Sequence, residues 1–254
     1  MTAARRRQLE RNIAVYYILR ILAKRLVWPI LTIFLVRNKL SPAEIGTVYA
    51  AATMVGLILE VPSGAIADRI GRRSAMALNF LGGAVSMFLF TIGDSFGVFL
   101  AAQILYHAAG SLMTGTHEAF LYETLHELGR TTELNRITGR ALFYSQVSTG
   151  ILFVAVPIIA TYALRLPFAL NIIVFFIASA LAWTLTEPKR ATSIASTEIG
   201  RDFLGFRAFL TNRSLLTIGL AFAAMNGING ILEDFRQIWL DVAHIDLAFF
   251  GFVY

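Results

Sequence analysis

The sequence predicts an all-α protein that crosses a membrane several times. Apolar residues make up 57% of its 254 residues and only 15% are charged, against about 25% in a typical soluble domain. The mean hydropathy is +0.66. The apolar residues fall in successive runs of about 20, which is the length that an α-helix needs to cross the hydrocarbon core of a bilayer.

Composition excludes several functional classes. The chain has no cysteine, which excludes disulfide scaffolds, thiol catalysis and cysteine-ligated metals. Its four histidines are scattered, so we expect no metal site. No Ser/His/Asp set or glycine-rich phosphate loop stands in a suitable context, and we expect neither enzyme activity nor a cofactor. The net charge of +6 lies in loops between apolar runs, which argues for membrane orientation and against nucleic-acid binding.

Seven membrane spans are predicted along the chain. Span two opens with Ser41 and Glu44 at the spacing of a capping box, and Pro157 predicts a kink in span five. Residues 199–210 predict an amphipathic helix on the membrane surface. The apolar run 247–254 is too short to cross a bilayer and predicts only the start of an eighth span. The seven spans are residues 13–36, 42–67, 73–92, 96–125, 141–163, 168–185 and 215 to about 232.

The basic residues predict which side of the membrane each loop faces. Of the 22 lysines and arginines, 15 fall on one side, 4 fall on the other and 3 lie within span one. Cytoplasmic loops carry the excess of basic residues. We therefore expect the N-terminus and the segments 67–73, 126–140 and 187–213 to be cytoplasmic, in a multi-pass protein of the inner or plasma membrane.

The stretch from residue 60 to residue 73 is the most specific motif in the chain. It reads Glu-Val-Pro-Ser-Gly-Ala-Ile-Ala-Asp-Arg-Ile-Gly-Arg-Arg and connects two apolar runs. In order and spacing it matches the Gly-x-x-x-Asp-Arg-x-Gly-Arg-Arg loop between spans two and three of the major facilitator superfamily, which this chain therefore resembles. The matching residues are Gly64, Asp68, Arg69, Gly71, Arg72 and Arg73.

The resemblance implies that this loop is a conformational latch. Asp68 is expected to face the N-terminus of a helix in the other half of the transporter, where the helix dipole favours a carboxylate. Arg72 and Arg73 are expected to pair with acidic residues or with lipid headgroups on the cytoplasmic side. Gly64 and Gly71 are expected to permit a close backbone approach and a turn.

The resemblance also implies an MFS-type domain organisation. Transporters of this superfamily usually have twelve spans in two six-helix halves. Residues 1–186 then form the N-terminal six-helix bundle, residues 187–213 a cytoplasmic linker, and residues 214–254 span seven and the start of span eight. A fragment, a truncated reading frame and a genuine half-transporter all fit this length, and a full-length protein is expected to be a monomer that needs its second half for transport.

Ionisable residues inside the spans are costly in hydrocarbon and are therefore candidate site residues. Arg20 and Lys24 lie one turn apart on span one, Glu60 lies on span two and Glu118 on span four. Counted at about 1.5 Å per residue, Arg20, Glu60 and Glu118 have similar depths. This predicts that Arg20 pairs with Glu118, with Glu60 as the competing partner. Polar residues recur along span four at spacings of three and four, as His107, Ser111, Thr114, Gly115, Glu118 and Tyr122.

The resemblance places spans one, four and seven around a central substrate and coupling cavity. The basic residues of span one also suit snorkelling toward the interface, and Ser111 also suits close helix packing. We expect a small-molecule substrate, with protons as the coupling ion. The expected lining is Tyr16, Arg20, Lys24, Glu60, His107, Ser111, Glu118, Tyr122 and Asn226.

The expected function is secondary transport of a small solute or drug across the lipid bilayer by rocking alternating access. The usual motifs of drug/proton antiporters do not support efflux, because Gln103 and His107 stand where such antiporters carry an arginine in span four, and Gly150 and Pro157 stand apart in span five. The alternative is a non-transporting half-transporter that acts as a membrane receptor, regulator or partner subunit. Five further spans encoded downstream would favour the transporter.

The charge asymmetry generates a topology prediction. Single cysteines at Ser95→Cys and Ser196→Cys are expected to react with a membrane-impermeant thiol reagent from opposite sides, because the positive-inside rule separates the two loops. The chain has no native cysteine to interfere. Labelling of both positions from the same side contradicts the predicted topology.

Overall fold

The chain folds into a bundle of α-helices in a computed structural model, which describes residues 1–189 and 212–252. Regular structure within these residues is helical, so the predicted all-α class is confirmed. The α-helices are α1 (Ala3–Leu22), α2 (Leu31–Arg37), α3 (Pro42–Ile70), α4 (Arg72–Ile92), α5 (Phe96–Ser111), α6 (Thr116–Leu128), α7 (Leu134–Tyr162), α8 (Leu166–Trp183) and α9 (Arg213–Val242). Short 3-10 helices cover Trp28–Ile30, Thr131–Glu133 and Leu247–Phe252.

Length and apolar composition agree with a membrane protein. Five stretches of the described residues are long and apolar enough to cross a membrane. A shorter apolar stretch, Trp28–Arg37, accompanies them. The five are Pro42–Glu60, Arg72–Ile92, Phe96–Leu128, Thr131–Tyr162 and Leu166–Trp183.

Helix α3 begins as predicted but ends later. The Ser41 hydroxyl accepts the Glu44 N–H at 3.3 Å and the Glu44 carboxylate accepts the Ser41 N–H at 2.8 Å, which confirms the capping box. The predicted loop at 67–73 is much shorter, because α3 continues to Ile70 and α4 begins at Arg72. The connection to α4 is Gly71 alone, at φ +94°. Residues with a Cβ rarely adopt that conformation.

Other predicted boundaries also shift. The predicted loop 126–140 is much shorter, since α6 continues to Leu128 and α7 begins at Leu134. Helix α9 continues beyond the predicted end of span seven, to Val242. The predicted amphipathic helix at 199–210 lies outside the described residues.

Span one consists of two helices, although its hydropathy predicted a single one. Helix α1 ends at Leu22 and α2 begins at Leu31, with a 3-10 turn at Trp28–Ile30 between them. Pro29 has no N–H and its ring clashes with the carbonyl one turn earlier, which disfavours a continuous helix. The break therefore lies in the middle of the predicted span.

Side chains of other helices bind the backbone groups that this break releases. The Leu26 N–H donates to Asn171 of α8 at 3.0 Å. Gln237 of α9 donates to the Trp28 carbonyl at 2.9 Å and accepts the Ile33 N–H at 3.0 Å. Because hydrocarbon offers no water to satisfy such groups, these contacts tie α8 and α9 to the break.

Span four is also broken. Helix α5 ends at Ser111 and α6 begins at Thr116, directly after Gly115 at φ +71°. The turn is closed by the Thr116 N–H, which donates to the Met113 carbonyl at 3.0 Å. The predicted polar stripe along one continuous helix face is therefore wrong, because residues before and after the break belong to different helices.

Phenylalanines hold the short helix α2 in the bundle. Phe34 of α2 lies 4.3 Å from Phe168 of α8 and 5.5 Å from Phe99 of α5, measured between ring centroids. Phe90 of α4 stacks on Phe99 at 5.9 Å. All four rings are buried. Aromatic contacts at these separations add to the free energy gained from burial.

Glycines set how closely α4 approaches its neighbours. A Cβ on Gly82 would lie 2.6 Å from the Cβ of Ala109 on α5, and a Cβ on Gly83 would lie 2.9 Å from the Phe175 ring on α8. Lipid supplies no hydrophobic driving force between membrane helices, so close approach through small residues is what associates them.

This packing generates a stability prediction. Gly82→Ala is expected to lower the free energy of unfolding by about 1–3 kcal/mol, the usual cost of overpacking, because Ala109 cannot move its Cβ without moving its backbone. Gly97→Ala in α5 is the matched control, since a Cβ there meets nothing within 4 Å. Denaturant unfolding in detergent, followed by circular dichroism, measures both variants. Equal stabilities would contradict the close contact.

Candidate functional site at two helix breaks

The two helix breaks lie beside one cavity of about 470 Å³. Arg20 belongs to the last turn of α1, and Lys24 lies in the break that follows. Gly115 and Glu118 come from the start of α6, and Ser145 comes from α7. This central cavity therefore gathers two cations and one carboxylate.

Arg20 and Glu118 lie side by side in the central cavity. Nη1 of Arg20 is 3.8 Å from Oε1 of Glu118, and the two side chains are 22% and 57% exposed. The same Nη1 is 3.3 Å from Nδ1 of His117. Within the part of the chain that the structure describes, no ion pair joins Arg20 to Glu60. The geometry thus agrees with Glu118 as the partner of Arg20.

A second cavity, of about 380 Å³, adjoins the first and is lined by three of the predicted residues. Glu60, His107 and Ser111 line this side cavity, among residues of α3, α4 and α5. The two spaces are contiguous, because some residues line both cavities, and a common lining stays a prediction for these three residues. The shared residues are Ala23, Gly110, Met113 and Thr114.

Ser111 also has a packing role. Its carbonyl accepts the hydroxyl of Ser63 on α3 at 2.9 Å, and its own hydroxyl donates to the Ala108 carbonyl at 2.8 Å. The hydrogen bond from Ser63 joins α3 to α5. This agrees with the alternative interpretation of Ser111 as a helix-packing residue.

Two further predicted cavity residues, Tyr16 and Tyr122, lie elsewhere. Tyr16 is buried behind the Arg20–Glu118 pair, with its ring edge-on to His117 at 6.2 Å. Tyr122 lies beside His126, at 6.0 Å between ring centroids, and outside the linings of both cavities. The side chain of Asn226 is outside the described residues.

Arg25 is buried inside the break of span one. Its guanidinium donates to Gln103 of α5 at 2.7 Å. It also lies 4.1 Å from the centroid of the Tyr106 ring and 5.4 Å from that of Phe90. Aromatic faces attract a cation, most strongly where water is excluded. The third basic residue of span one is therefore held by α4 and α5.

The turn at Gly71 is bound by a glutamate that the sequence reasoning missed. The Glu187 carboxylate accepts the N–H of Arg72 at 2.6 Å and the N–H of Arg73 at 3.0 Å. These residues begin α4, where the positive end of the helix dipole favours a carboxylate. A Cβ on Gly71 would lie 3.1 Å from that carboxylate. The signal in the sequence that could have predicted this contact was an acidic residue directly after span six.

Charged residues of the motif also pair with one another. Arg72 lies 2.9 Å from Asp68 and 3.7 Å from Glu123, so it bridges α3, α4 and α6. The expected partner of Asp68 in the other half stays a prediction. Arg69 is exposed, and a Cβ on Gly64 would meet nothing within 4 Å. The close approach predicted at Gly64 is thus not seen among the described residues.

The start of α1 holds the segment that follows α8. Arg5 donates to the Glu127 carboxylate at 2.8 and 3.0 Å and to the Glu187 carbonyl at 3.0 Å. Its hydrogen bond to Glu127 raises the pKa of Arg5. Asn12 exchanges two hydrogen bonds with the backbone of Thr186, at 2.8 and 3.0 Å. These contacts keep Glu187 within reach of the Gly71 turn.

Comparison with known proteins decides the family. The family model described as Major Facilitator Superfamily matches residues 13–254. The chain belongs to this superfamily. It is accordingly a multi-pass membrane protein, in agreement with its membrane-length helices.

Individual members of the superfamily resemble the chain over part of their length. It is 24% identical over 211 residues to the quinolone resistance protein NorA of Staphylococcus aureus strain MRSA252, which covers 78% of this chain and 50% of NorA. It is 31% identical over 103 residues to YxaM of Bacillus subtilis strain 168, an uncharacterized MFS-type transporter, which covers 41% of this chain and 26% of YxaM. The chain thus spans half or less of these curated relatives.

A solved structure shows the same fold. The crystal structure of the nucleoside transporter NupG superposes with a TM-score of 0.76 at 18% identity, over 90% of this chain and 57% of NupG. A point mutant of NupG gives a TM-score of 0.78. At this identity the likeness concerns the fold alone.

The Gly71 turn generates a second stability prediction. Glu187→Gln is expected to lower the free energy of unfolding by about 1–3 kcal/mol, because the neutral amide turns one donor toward the N–H groups of α4. Glu10→Gln is the matched control, since its exposed pair with Arg6 contributes about 0–1 kcal/mol. Thermal unfolding in detergent compares them, and equal midpoints would show that Glu187 does not hold the turn.

Proposed function

We propose that this chain supplies the N-terminal half and the start of the C-terminal half of a secondary transporter, which moves a small solute across the plasma membrane by rocking alternating access. The observation that carries the proposal is the charged cavity at the two helix breaks. Charged side chains at mid-span are costly in hydrocarbon and mark solute or ion pathways. The relatives support a transporter and give no support to an enzyme.

Contacts between α2 and α9 support a closed outer gate. Gln237 binds the broken backbone of span one from α9, and Arg37 at the end of α2 lies 3.6 Å from Asp241. With the N-terminus in the cytoplasm, these contacts lie between the middle and the outer end of span one and at the outer end of span seven. The conformation is then closed to the outside, and opening requires Gln237 and Asp241 to leave span one.

The pair of Arg20 and Glu118 is the proposed coupling element. A proton on Glu118 removes the charge that holds the guanidinium, which is then free to reorient. The other charged or titratable groups around Glu118 are Lys24 and His117 in the lining and Tyr16 behind it. Protons are therefore the proposed coupling ion, since Glu118 is the carboxylate of this lining and lies against Arg20.

The test is solute exchange by the intact protein in proteoliposomes. At least one radiolabelled solute from a panel of anions, cations and neutral molecules is expected to exchange faster than in empty liposomes. Arg20→Gln and Glu118→Gln are each expected to slow exchange about tenfold, because each strands a charge. The double variant is expected to recover part of that loss.

The controls separate the alternatives. Glu10→Gln removes an exposed carboxylate away from the cavity and is expected to leave exchange unchanged. Purely additive losses in the double-mutant cycle would show that Arg20 and Glu118 do not couple. If the folded protein exchanges no solute at all, a non-transporting receptor or partner subunit replaces the transporter.

A further inference from the structure

Positive charge exceeds negative charge in the central cavity. Arg20 and Lys24 contribute two cations to the lining and Glu118 contributes one carboxylate, which lies against Arg20. Lys24 has a weaker contact, with Nζ 3.5 Å from Oε1 of Gln146, at the outer limit of a hydrogen bond. No carboxylate of the described residues lies within 4.0 Å of Lys24.

Helix α6 begins in this same cavity. It is 13 residues long, and its N-cap residue, Gly115, has no side chain to cap it. The first turn of α6 therefore presents N–H groups and the positive end of the helix dipole to the cavity. In transporters with discontinuous helices, half-helix N-termini of this kind face anionic groups of the substrate.

His117 adds no negative charge to the wall of the central cavity. The residue lines the cavity and is 4% exposed. Since a guanidinium only donates, Nδ1 of His117 accepts from Arg20 at 3.3 Å, and the proton of the neutral ring lies on Nε2. Nε2 is buried and is therefore not accessible to a solute. The contact holds Arg20 in place without compensating its positive charge.

We propose that the central cavity contains an anion-binding subsite, formed by Lys24 and the N-terminus of α6 beside the Arg20–Glu118 pair. It takes the carboxylate or phosphate group of a small organic solute. This inference rests on the proposed transport function and adds the class of substrate, an organic anion.

The neighbouring wall fits the rest of such a solute. A cavity of about 300 Å³ shares Ala23 and Lys24 with the central cavity and is lined by Trp28, Tyr106 and Phe153 among others. Aromatic side chains suit an apolar or aromatic body. The solute that fits both parts therefore joins an anionic group to an apolar ring or chain.

Four small compounds that share a benzene ring test whether the ligand must carry a negative charge. Benzoate, phenylphosphonate, benzamide and benzamidinium are each added to the intact protein in detergent, and the thermal unfolding midpoint is measured. Benzoate, phenylphosphonate or both are expected to raise the midpoint, since a ligand stabilises the state that binds it. Benzamide and benzamidinium are expected to have no effect. A response to one anion alone identifies the group as carboxylate or phosphate.

Variants of Lys24 locate the site. Lys24→Gln is expected to weaken the anionic probe about tenfold or more, because a charged hydrogen bond is lost. Lys24→Arg is expected to retain most of the affinity and keeps the test valid if the glutamine variant does not fold. Lys189→Gln makes the same charge change at an exposed position and is the matched control.

The outcomes separate this inference from the proposed function. Stabilisation by benzamidinium, no response to either anion, or unchanged anion affinity in Lys24→Gln overturns the anion subsite. If the proteoliposomes still exchange a neutral or cationic solute, transport stands without this subsite. Anion binding that depends on Lys24, in a protein that exchanges no solute, supports the subsite and overturns transport.

Discussion

Backbone groups of a membrane helix must be hydrogen-bonded inside the protein, and this constraint acts most strongly at the two broken spans. In span one, Asn171 and Gln237 bind the groups that the break releases. They come from α8 and α9, so the interruption of one helix fixes the positions of two others. In span four the turn closes on its own backbone through Thr116. The first turn of α6 is thereby left facing the central cavity.

The same contacts divide span one into two separately anchored parts. Helix α1 packs against α6, α7 and α8 and is tied by Arg5 and Asn12 to the segment after α8. Helix α2 packs against α3 and α9 and contributes Phe34 to the aromatic cluster. The residues between the two helices, which include Lys24 and Arg25, join these two separately anchored parts.

Sequence patterns predicted five of the seven spans as helical stretches of membrane length, and they predicted the capping box, because these features depend on residues close together in the chain. They did not predict the breaks, because the mean hydropathy of a long window hardly changes when a few residues within it leave the helix. The break in span four places His107 and Glu118 on different helices, which is why the predicted polar stripe is not continuous. Glu187 binds Arg72 across 115 residues, and no local pattern contains such a contact.

Gly115 is the residue at which fold and site coincide. Its positive φ lets α6 start within a stretch of membrane length, and its missing side chain leaves the first turn of α6 without a side-chain cap. The same turn places Glu118 in the first turn of α6, where the dipole favours its charge. If the cavity binds a solute anion as proposed, that anion and Glu118 share the positive field of Arg20 and of the first turn of α6.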